Sequence, residues 1–293
     1  MDQNQNPYGQ GQPAKKMNPL FIVIPAAVIV VILIIVLIFI LNGSGSDSSG
    51  GGAGNAGSGG IGGVSEPPAG DPPGNENSAP NASVPETITI AGTNYRTDMT
   101  GTLDLTGLGL SDSDIEDLRY MTNLSEIIIS DNNLAQPRVL GELTNLKKLT
   151  MHNNALFSID FVSNLTNLEV LGAGSNAIDD LSPLANLTNL KELWMQDNII
   201  NDVSPLKNLT KLEYASFQDN FIGDFTPLAG NQFIELHLHN QNGMINGNYD
   251  AIKGLTIYGT LYVAEGNGFD NMDALIEYIR NNLYLDSDGI QVG

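Results

Sequence analysis

The chain has 293 residues, a formal charge of −21 at pH 7, no cysteine and three histidines. The lack of cysteine excludes disulfides and thiolate metal sites. The first 41 residues hold Asp2 against Lys15 and Lys16, so the acidic excess lies in residues 42–293. Such a region is a poor nucleic-acid binder, because phosphate contacts need lysine and arginine, and it favours neutral or basic partners.

The N-terminal part is predicted to be a polar, disordered stub over residues 1–18, followed by a membrane anchor. Leu20 to Leu41 is an uncharged apolar run of 22 residues, and as an α-helix it spans about 33 Å, enough to cross a bilayer. Lys15 and Lys16 precede it, so the positive-inside rule places the N-terminus in the cytoplasm and the rest outside. We therefore predict a transmembrane helix over residues 19–41. The alternative is a cleaved signal peptide, whose apolar region is typically shorter, about 7–15 residues.

Residues 42–85 form a linker rich in glycine, serine and proline. A flexible chain of this length has a root-mean-square span of roughly 35–40 Å. The linker therefore keeps the following domain close to the membrane, which argues against an adhesin that must project from the cell surface.

Residues 86–121 are predicted to form the N-terminal cap of an array of sequence repeats that occupies residues 122–231. Apolar and polar residues alternate on both sides of residues 91–94, which indicates a hairpin. Four leucines, Leu103, Leu105, Leu108 and Leu110, resemble a degenerate first repeat. Residues 111–121 then predict a short helix with a serine or aspartate cap. Such atypical ends shield the outer core of a solenoid.

Residues 122–231 contain five copies of a 22-residue repeat in strict register, of which Thr188 to Leu209, TNLKELWMQDNIINDVSPLKNL, is the fourth. The third, sixth and eighth positions are apolar, as in Leu190, Leu193 and Met195. The sixth and eighth residues are two apart, so they point to the same side of a strand. One repeat cannot bury these residues alone, whereas stacked repeats form one core and a parallel concave sheet.

Two other positions of the repeat have a predicted structural role. Ser-Pro-Leu or Thr-Pro-Leu over residues 182–184, 204–206 and 226–228 suits the start of a short helical turn. The eleventh position is always asparagine, which can bond to backbone groups of neighbouring coils from the inside of a bend. The predicted ladder consists of Asn132, Asn154, Asn176, Asn198 and Asn220.

The pattern resembles the bacterial 22-residue leucine-rich repeat of internalin-like surface proteins, over roughly residues 100 to 255. The resemblance implies an α/β repeat solenoid, a leucine-rich repeat horseshoe with a parallel concave β-sheet. It also implies an N-terminal cap of hairpin and helix and a helical C-terminal cap. It does not specify a ligand, because the repeated residues are mostly core.

Residues 232–293 are predicted to be a degenerate repeat and a C-terminal cap. Phe233, Leu236 and Leu238 keep the strand pattern, and a further strand-like run follows over residues 255–264. A helix with Asp270 as its N-cap then presents an apolar face. That face either seals the core or docks a partner, and it consists of Met272, Leu275, Ile276 and Ile279.

The concave face is the predicted binding surface, and its fifth, seventh and ninth positions vary between repeats. Trp194 is the only tryptophan, with Gly172 and Ser216 beside it in the same column and Tyr214 on the diagonal. This arrangement predicts a large aromatic side chain next to a hollow, which suits a peptide or sugar. The alternative is an isolated surface aromatic. The predicted binding residues are Trp194, Tyr214, Glu192, Gln196, Asp197, Gln218, Asp219, His152, Gly172 and Gly174.

Two kinds of chemistry remain to be weighed. Glu235, His237 and His239 alternate, so their side chains could converge on a divalent metal or simply form a polar surface. No nucleophile-base set, GxSxG, HExxH or P-loop is present, and the GxGxxG of residues 52–57 lacks a strand before it and a helix after it. We therefore predict no enzyme activity and no cofactor.

The predicted function is non-catalytic binding of a neutral to basic protein or peptide by a single-pass membrane protein whose repeats lie outside the cell. Two other functions remain open. One is an envelope scaffold without a dedicated ligand, and the other is a binder of cell-wall glycan through Trp194.

Overall fold

The structure is a computed structural model, and it describes residues 84–241, 248–263, 271–285 and 290–292. The predicted stub, the apolar run from Leu20 to Leu41, nearly all of the linker and Asp270 lie outside these residues. Within the described ranges, no helix has both the length and the apolar character that crossing a bilayer requires.

In the part of the chain that the structure describes, a ten-stranded sheet forms one side of the solenoid, and eight of its strands follow one another in chain order with parallel pairing. Leu149, Leu171 and Leu193 are partners in this register, each 22 residues from the next. Beyond β10, both β11 and β12 pair with it in parallel. The strands are β3 (Gly101–Asp104), β4 (Leu124–Ile128), β5 (Lys148–Thr150), β6 (Val170–Gly172), β7 (Glu192–Trp194), β8 (Tyr214–Ser216), β9 (Gln232–His237), β10 (Thr256–Val263), β11 (Tyr284–Leu285) and β12 (Ile290–Val292).

Short 3₁₀ helices form the opposite side of each coil. The Ser-Pro and Thr-Pro pairs lie at the start of three of them, as the repeat predicts. The N–H that begins each of these turns donates to an aspartate two residues earlier, at 2.7–2.8 Å: Asp180, Asp202 and Asp224 are the acceptors. The helices are η1 (Asp112–Tyr120), η2 (Arg138–Glu142), η3 (Asp160–Asn164), η4 (Ser182–Leu184), η5 (Ser204–Asn208), η6 (Thr226–Leu228) and η7 (Tyr249–Ile252).

The core is one continuous column of apolar side chains between the sheet and the 3₁₀ helices. Leu190, Leu193 and Met195 are fully buried, and so are the residues at the same positions in the other copies. The fifth copy carries the small Ala215 at the sixth position, and large rings fill the layer beside it. Phe217 and Phe225 are both fully buried, with ring centroids 6.2 Å apart. Stacking therefore buries what a single coil would expose.

Asparagines at the eleventh position join each coil to the one before it. Asn198 is representative, since its amide donates to the carbonyls of Ala173 and Met195, both at 3.1 Å, and its Oδ1 accepts from the N–H of Ile178 at 2.9 Å. A buried amide satisfied on both ends contributes to stability instead of opposing it. Asn132, Asn154, Asn176 and Asn220 make the equivalent bonds.

Gln241 occupies this position in the next coil, which the sequence pattern did not predict. Its Oε1 accepts from the N–H of Ile222 at 3.0 Å, and its Nε2 donates to the carbonyl of Phe217 at 2.8 Å. Because Gln241 follows Asn220 by 21 residues, a longer side chain reaches the same groups in a coil that is one residue shorter.

At the N-terminal end, a hairpin pairs β1 (Thr87–Ile90) with β2 (Thr93–Arg96). Ala91 and Gly92 form its two-residue turn with φ angles of 48° and 78°, the geometry that suits tight hairpins. Ile88 and Ile90 are buried in the core. Of the four leucines predicted to form a degenerate first repeat, Leu108 is 45% exposed and the other three are buried.

At the C-terminal end, helix α1 (Met272–Asn282) covers the last coil. Its N-cap is Asn271, whose side chain accepts from the N–H of Ala274 at 3.0 Å, so the prediction of Asp270 as the cap was one residue out. Leu275 and Ile279 are fully buried. The hydroxyl of Tyr278 donates to Asp250 at 2.8 Å and ties the helix to η7.

Candidate binding surface

The strand register aligns the variable positions into columns on the concave face. The fifth-position column is Thr102, Glu126, Lys148, Val170, Glu192, Tyr214 and Glu235. The seventh-position column is Asp104, Ile128, Thr150, Gly172, Trp194, Ser216 and His237. These are the columns that the repeat predicts. We call the surface formed by the fifth, seventh and ninth positions the concave face.

The spaces beside Trp194 are filled by the protein's own side chains. A Cβ added to Gly172 would lie 2.6 Å from Nε2 of His152, and one added to Gly174 would lie 2.5 Å from Cδ of Gln196. The predicted hollow is therefore wrong. Side chains of neighbouring coils close the room that a missing side chain leaves, because close packing recovers contacts that a void would lose. Trp194 itself is half-buried.

His152 is fixed by the backbone of the next coil. Its Nδ1 accepts from the N–H of Gly174 at 2.9 Å. Burial lowers the pKa of His152 below its usual value, and the negative charge of Asp131 opposes this effect. The neutral ring therefore fits the site, with its proton on Nε2. Beside it, Oε1 of Gln196 is buried and has no hydrogen-bond partner among the described residues.

Tyr214 lies in register between two carboxylates, with Glu192 on one adjacent strand and Glu235 on the other. All three side chains are half-buried. The wider concave face, with the loops that leave it, has the same acidic character, and Lys148 is the amine within its columns. Its carboxylates are Asp104, Glu126, Asp131, Glu192, Asp197, Asp219 and Glu235.

The predicted binding residues Asp197 and Asp219 also have a backbone role. Both have positive φ, 56° and 57°, at the tenth position of their coils. Asparagine and aspartate tolerate this left-handed conformation better than most side chains. The same position has positive φ in the other coils, at Asp131, Asn153, Ser175 and Asn240. The left-handed backbone at the tenth position therefore explains part of the excess of aspartates beside the concave face.

Glu235, His237 and His239 form a polar cluster, one of the two alternatives that the sequence left open. Nε2 of His237 and Oε1 of Glu235 lie 2.7 Å apart and bond to each other, and the ring of His237 stacks on Tyr262 at a centroid distance of 4.0 Å. The ring of His239 is 6.0 Å from that of His237. In the part of the chain that the structure describes, no three histidine or carboxylate side chains are placed to hold a metal ion. The bond between Glu235 and His237 therefore fits the polar-surface alternative for Glu235, His237 and His239.

Tyr262 is a member of this face that the repeat pattern missed. It is the partner of His237 in the register of β9 and β10 and is half-buried. Trp194, Tyr214, His237 and Tyr262 therefore place aromatic rings on four successive strands of the C-terminal half. The ninth-position residues Gln196 and Gln218 are half-buried beside them.

Two shallow grooves lie away from this aromatic region. One, of about 400 Å³, lies among the 3₁₀ helices and is lined by Arg138, Phe161 and their neighbours. The other, of about 530 Å³, lies at the start of the strands and is lined by Lys191, Lys211, Ile234 and Tyr258 among others. On the concave face itself, the groups available for binding are aromatic rings and carboxylates.

The family model described as Leucine Rich repeats (2 copies) matches residues 166–208. No curated protein matches the chain. Among solved structures, the chain is similar to an internalin (inlF) from Listeria monocytogenes, with 21% identity, a TM-score of 0.50 and coverage of 69% of this chain. The matched region spans 58% of that internalin. Together with the repeat geometry, this likeness shows a leucine-rich repeat solenoid.

Two further structures share less of the geometry. An internalin C2 (inlC2) from Listeria monocytogenes has 26% identity and a TM-score of 0.33, over 46% of this chain and 79% of that one. The ectodomain of the membrane receptor kinase GASSHO1/SCHENGEN3 from Arabidopsis thaliana was solved in complex with CASPARIAN STRIP INTEGRITY FACTOR 2. It has 17% identity and a TM-score of 0.39, over 66% of this chain and 23% of that one.

Proposed function

We propose that this leucine-rich repeat protein binds a neutral to basic protein or peptide through its concave face, without catalysis. The observation that carries the proposal is the alignment of Tyr214 between Glu192 and Glu235, next to Trp194. Tyrosine and tryptophan contribute most per residue to protein interfaces, and flanking carboxylates attract lysine and arginine. A cationic side chain over such a ring also gains from the ring's negative face.

The shape of the face favours a macromolecular partner. His152 and Gln196 fill the spaces over Gly172 and Gly174, so the region around Trp194 offers a surface instead of a deep cavity. Small-molecule sites are typically concave and enclose most of their ligand. A rigid sheet with half-buried rings suits a partner that contacts many positions at once.

We also propose that the repeats are presented outside the cell by a transmembrane helix at Leu20 to Leu41. The support is the uncharged run after Lys15 and Lys16, together with the absence of further lysine or arginine before Arg96. Protease added to intact cells should digest the repeat domain if it is exposed. Protection in intact cells, with digestion after lysis, would contradict this placement.

Site-directed photo-crosslinking in cells tests the binding proposal. A photoreactive benzoylphenylalanine replaces Tyr214 in one full-length variant and Lys253, an exposed residue next to η7, in a control variant. We expect one cross-linked partner at position 214 that is absent at position 253. A second protein that combines position 214 labelling with Trp194→Ala should lose most of the product.

Equal products at the two positions, or none at position 214, would favour the envelope scaffold. A product that resists high salt and is removed by glycan-degrading enzymes would indicate a wall glycan, because charge attraction to a basic protein weakens as salt shortens the screening length.

A further inference from the structure

An exposed apolar pair lies on the rim where the chain leaves the concave face. Ile199 and Phe221 are 38% and 39% exposed, whereas the residues that follow them, Ile200 and Ile222, are fully buried. The N–H of Ile199 donates to the carbonyl of Ile178 at 3.1 Å, and that of Phe221 donates to the carbonyl of Ile200 at 2.8 Å. The pair therefore occupies the same position in two successive coils.

The fold does not require large apolar residues at this position. The preceding coils carry Asn133, Ala155 and Ala177 there, and their backbones make the same coil-to-coil bond. A single exposed apolar residue is normal on a protein surface. Neighbouring ones form an apolar patch whose exposure to water is unfavourable. Ile199 and Phe221 therefore have no evident part in the core.

Carboxylates flank the pair in each coil. Asp197 and Asp219 come two residues before it, and Asp202 and Asp224 come three residues after it. Asp197, Asp202 and Asp224 are exposed, and Asp219 is half-buried. We call Ile199, Phe221 and these four aspartates the rim surface.

We propose that the rim surface is a second contact site, which takes a polypeptide segment combining apolar side chains with lysine or arginine. Burial of Ile199 and Phe221 would supply affinity, because apolar area would be removed from water. The carboxylates on both sides would attract and orient the cationic side chains. Asp197 and Asp219 border both surfaces, but Ile199 and Phe221 lie outside the concave face, so substitutions at these two residues test the rim surface separately.

Charge selects this occupant over the others. An anionic membrane or a nucleic acid would be repelled by the four carboxylates. A second copy of this acidic chain would meet the same repulsion. A neutral apolar segment could cover Ile199 and Phe221 but would bring no positive charge to the flanking carboxylates.

Peptide binding to the purified full-length protein tests the proposal. The probe is a short fluorescent peptide in which leucine alternates with lysine, and the matched probe has serine in place of each leucine. Anisotropy is measured in neutral detergent after subtracting partition into protein-free micelles. We expect the leucine peptide to bind about tenfold more tightly, a difference of about 1.4 kcal/mol.

The double variant Ile199→Ser, Phe221→Ser should bind both peptides equally. Tyr258→Ser is the matched control, because Tyr258 is 41% exposed and lies at the start of the strands, away from the rim. It should keep the tenfold preference, and so should Trp194→Ala, Tyr214→Ala, which tests the concave face separately. All five substituted residues are partly exposed, and thermal unfolding checks that each variant is folded.

The proposal is wrong if the intact protein shows no preference for the leucine peptide. It is also wrong if the rim variant retains the preference or if Tyr258→Ser loses it equally. Loss of the preference in the Trp194→Ala, Tyr214→Ala variant alone would move the site to the concave face.

Discussion

The N–H of Gly174 donates to Nδ1 of His152 across two adjacent coils, over a distance of 2.9 Å. This bond holds the imidazole over Gly172, where a Cβ would lie only 2.6 Å from Nε2. One side chain, that of His152, therefore contacts both Gly172 and Gly174, the two glycines beside which the sequence predicted an empty space. The packing next to Trp194 therefore depends on the protonation state of His152, because Nδ1 can accept this bond only while it carries no proton.

We expect the free energy of unfolding to fall as the pH drops below about 6.5, the ordinary pKa of histidine. Burial lowers the pKa of His152 in the folded state, so the unfolded chain binds more protons below that pH. The loss continues until the pH passes the lowered pKa. Burial lowers the pKa of His239 as well, so it contributes with the same sign. Denaturant unfolding at a series of pH values measures the slope.

His152→Gln is the control for this slope. Its amide oxygen can accept from the N–H of Gly174, but the side chain does not titrate. The variant should lose less stability than the parent between neutral pH and about pH 5.5, a window in which unfolded histidine gains its proton. Identical slopes for parent and variant would rule out His152 as a source of the pH dependence.

Gly172→Ala should destabilise the protein more than Gly174→Ala. The new methyl group at position 172 meets the ring of His152 and must displace it from the N–H of Gly174, a cost of about 1–3 kcal/mol. At position 174 the methyl group meets the end of the flexible Gln196 side chain, whose Oε1 has no partner among the described residues. We expect a loss of less than about 1 kcal/mol there. Chemical denaturation compares the two, and equal losses would contradict the assigned role of His152.

The repeat period was enough to predict the solenoid, the strand register and the buried columns. Leu149, Leu171 and Leu193 recur at a fixed interval, and a strand places alternate residues on one side. The period could not predict how His152 and Gln196 fill the concave face. Their positions depend on glycines in the next coil, 22 residues later, and on side-chain rotamers that spacing does not specify.

The period also fails where the coils change length. The register between β9 and β10 shifts between Ile257 and Thr260. At Gly259 a Cβ would lie 2.1 Å from the carbonyl oxygen of Ile234, so the strands approach too closely for any larger residue. A step of 22 residues from His237 leads to Gly259, whereas the strand partner of His237 is Tyr262. The stacking of His237 on Tyr262 could not be predicted from the period for this reason.

Asn198→Ala should cost about 1–3 kcal/mol of stability, because it leaves the buried N–H of Ile178 without its acceptor. It also removes one of the two asparagine donors from the carbonyls of Ala173 and Met195. Asn189→Ala is the matched control. Asn189 also bonds to the preceding coil, through the carbonyl of Thr166, but at the exposed surface, where water can replace it. We expect a loss below about 1 kcal/mol for the control. Denaturant midpoints measure both, and similar losses would mean that burial does not set the value of the ladder.

Variants of Asp202 separate the structural role of an acidic side chain from its role in binding. Its carboxylate accepts from the N–H and the hydroxyl of Ser204, both at 2.8 Å, at the start of η5. Asp202→Ala removes both bonds and should therefore cost about 0.5–1.5 kcal/mol. Asp202→Asn keeps an oxygen for the N–H of Ser204, so thermal unfolding should show a small change.

The same asparagine variant removes one of the four negative charges of the rim surface. At low salt it should weaken binding of the leucine–lysine peptide several-fold, and the difference from the parent protein should shrink as salt screens the charge. If Asp202→Asn leaves peptide binding unchanged while Asp202→Ala destabilises the fold, the charge at this position is a by-product of the bonds to Ser204. The attraction at the rim would then come from Asp197 and Asp219.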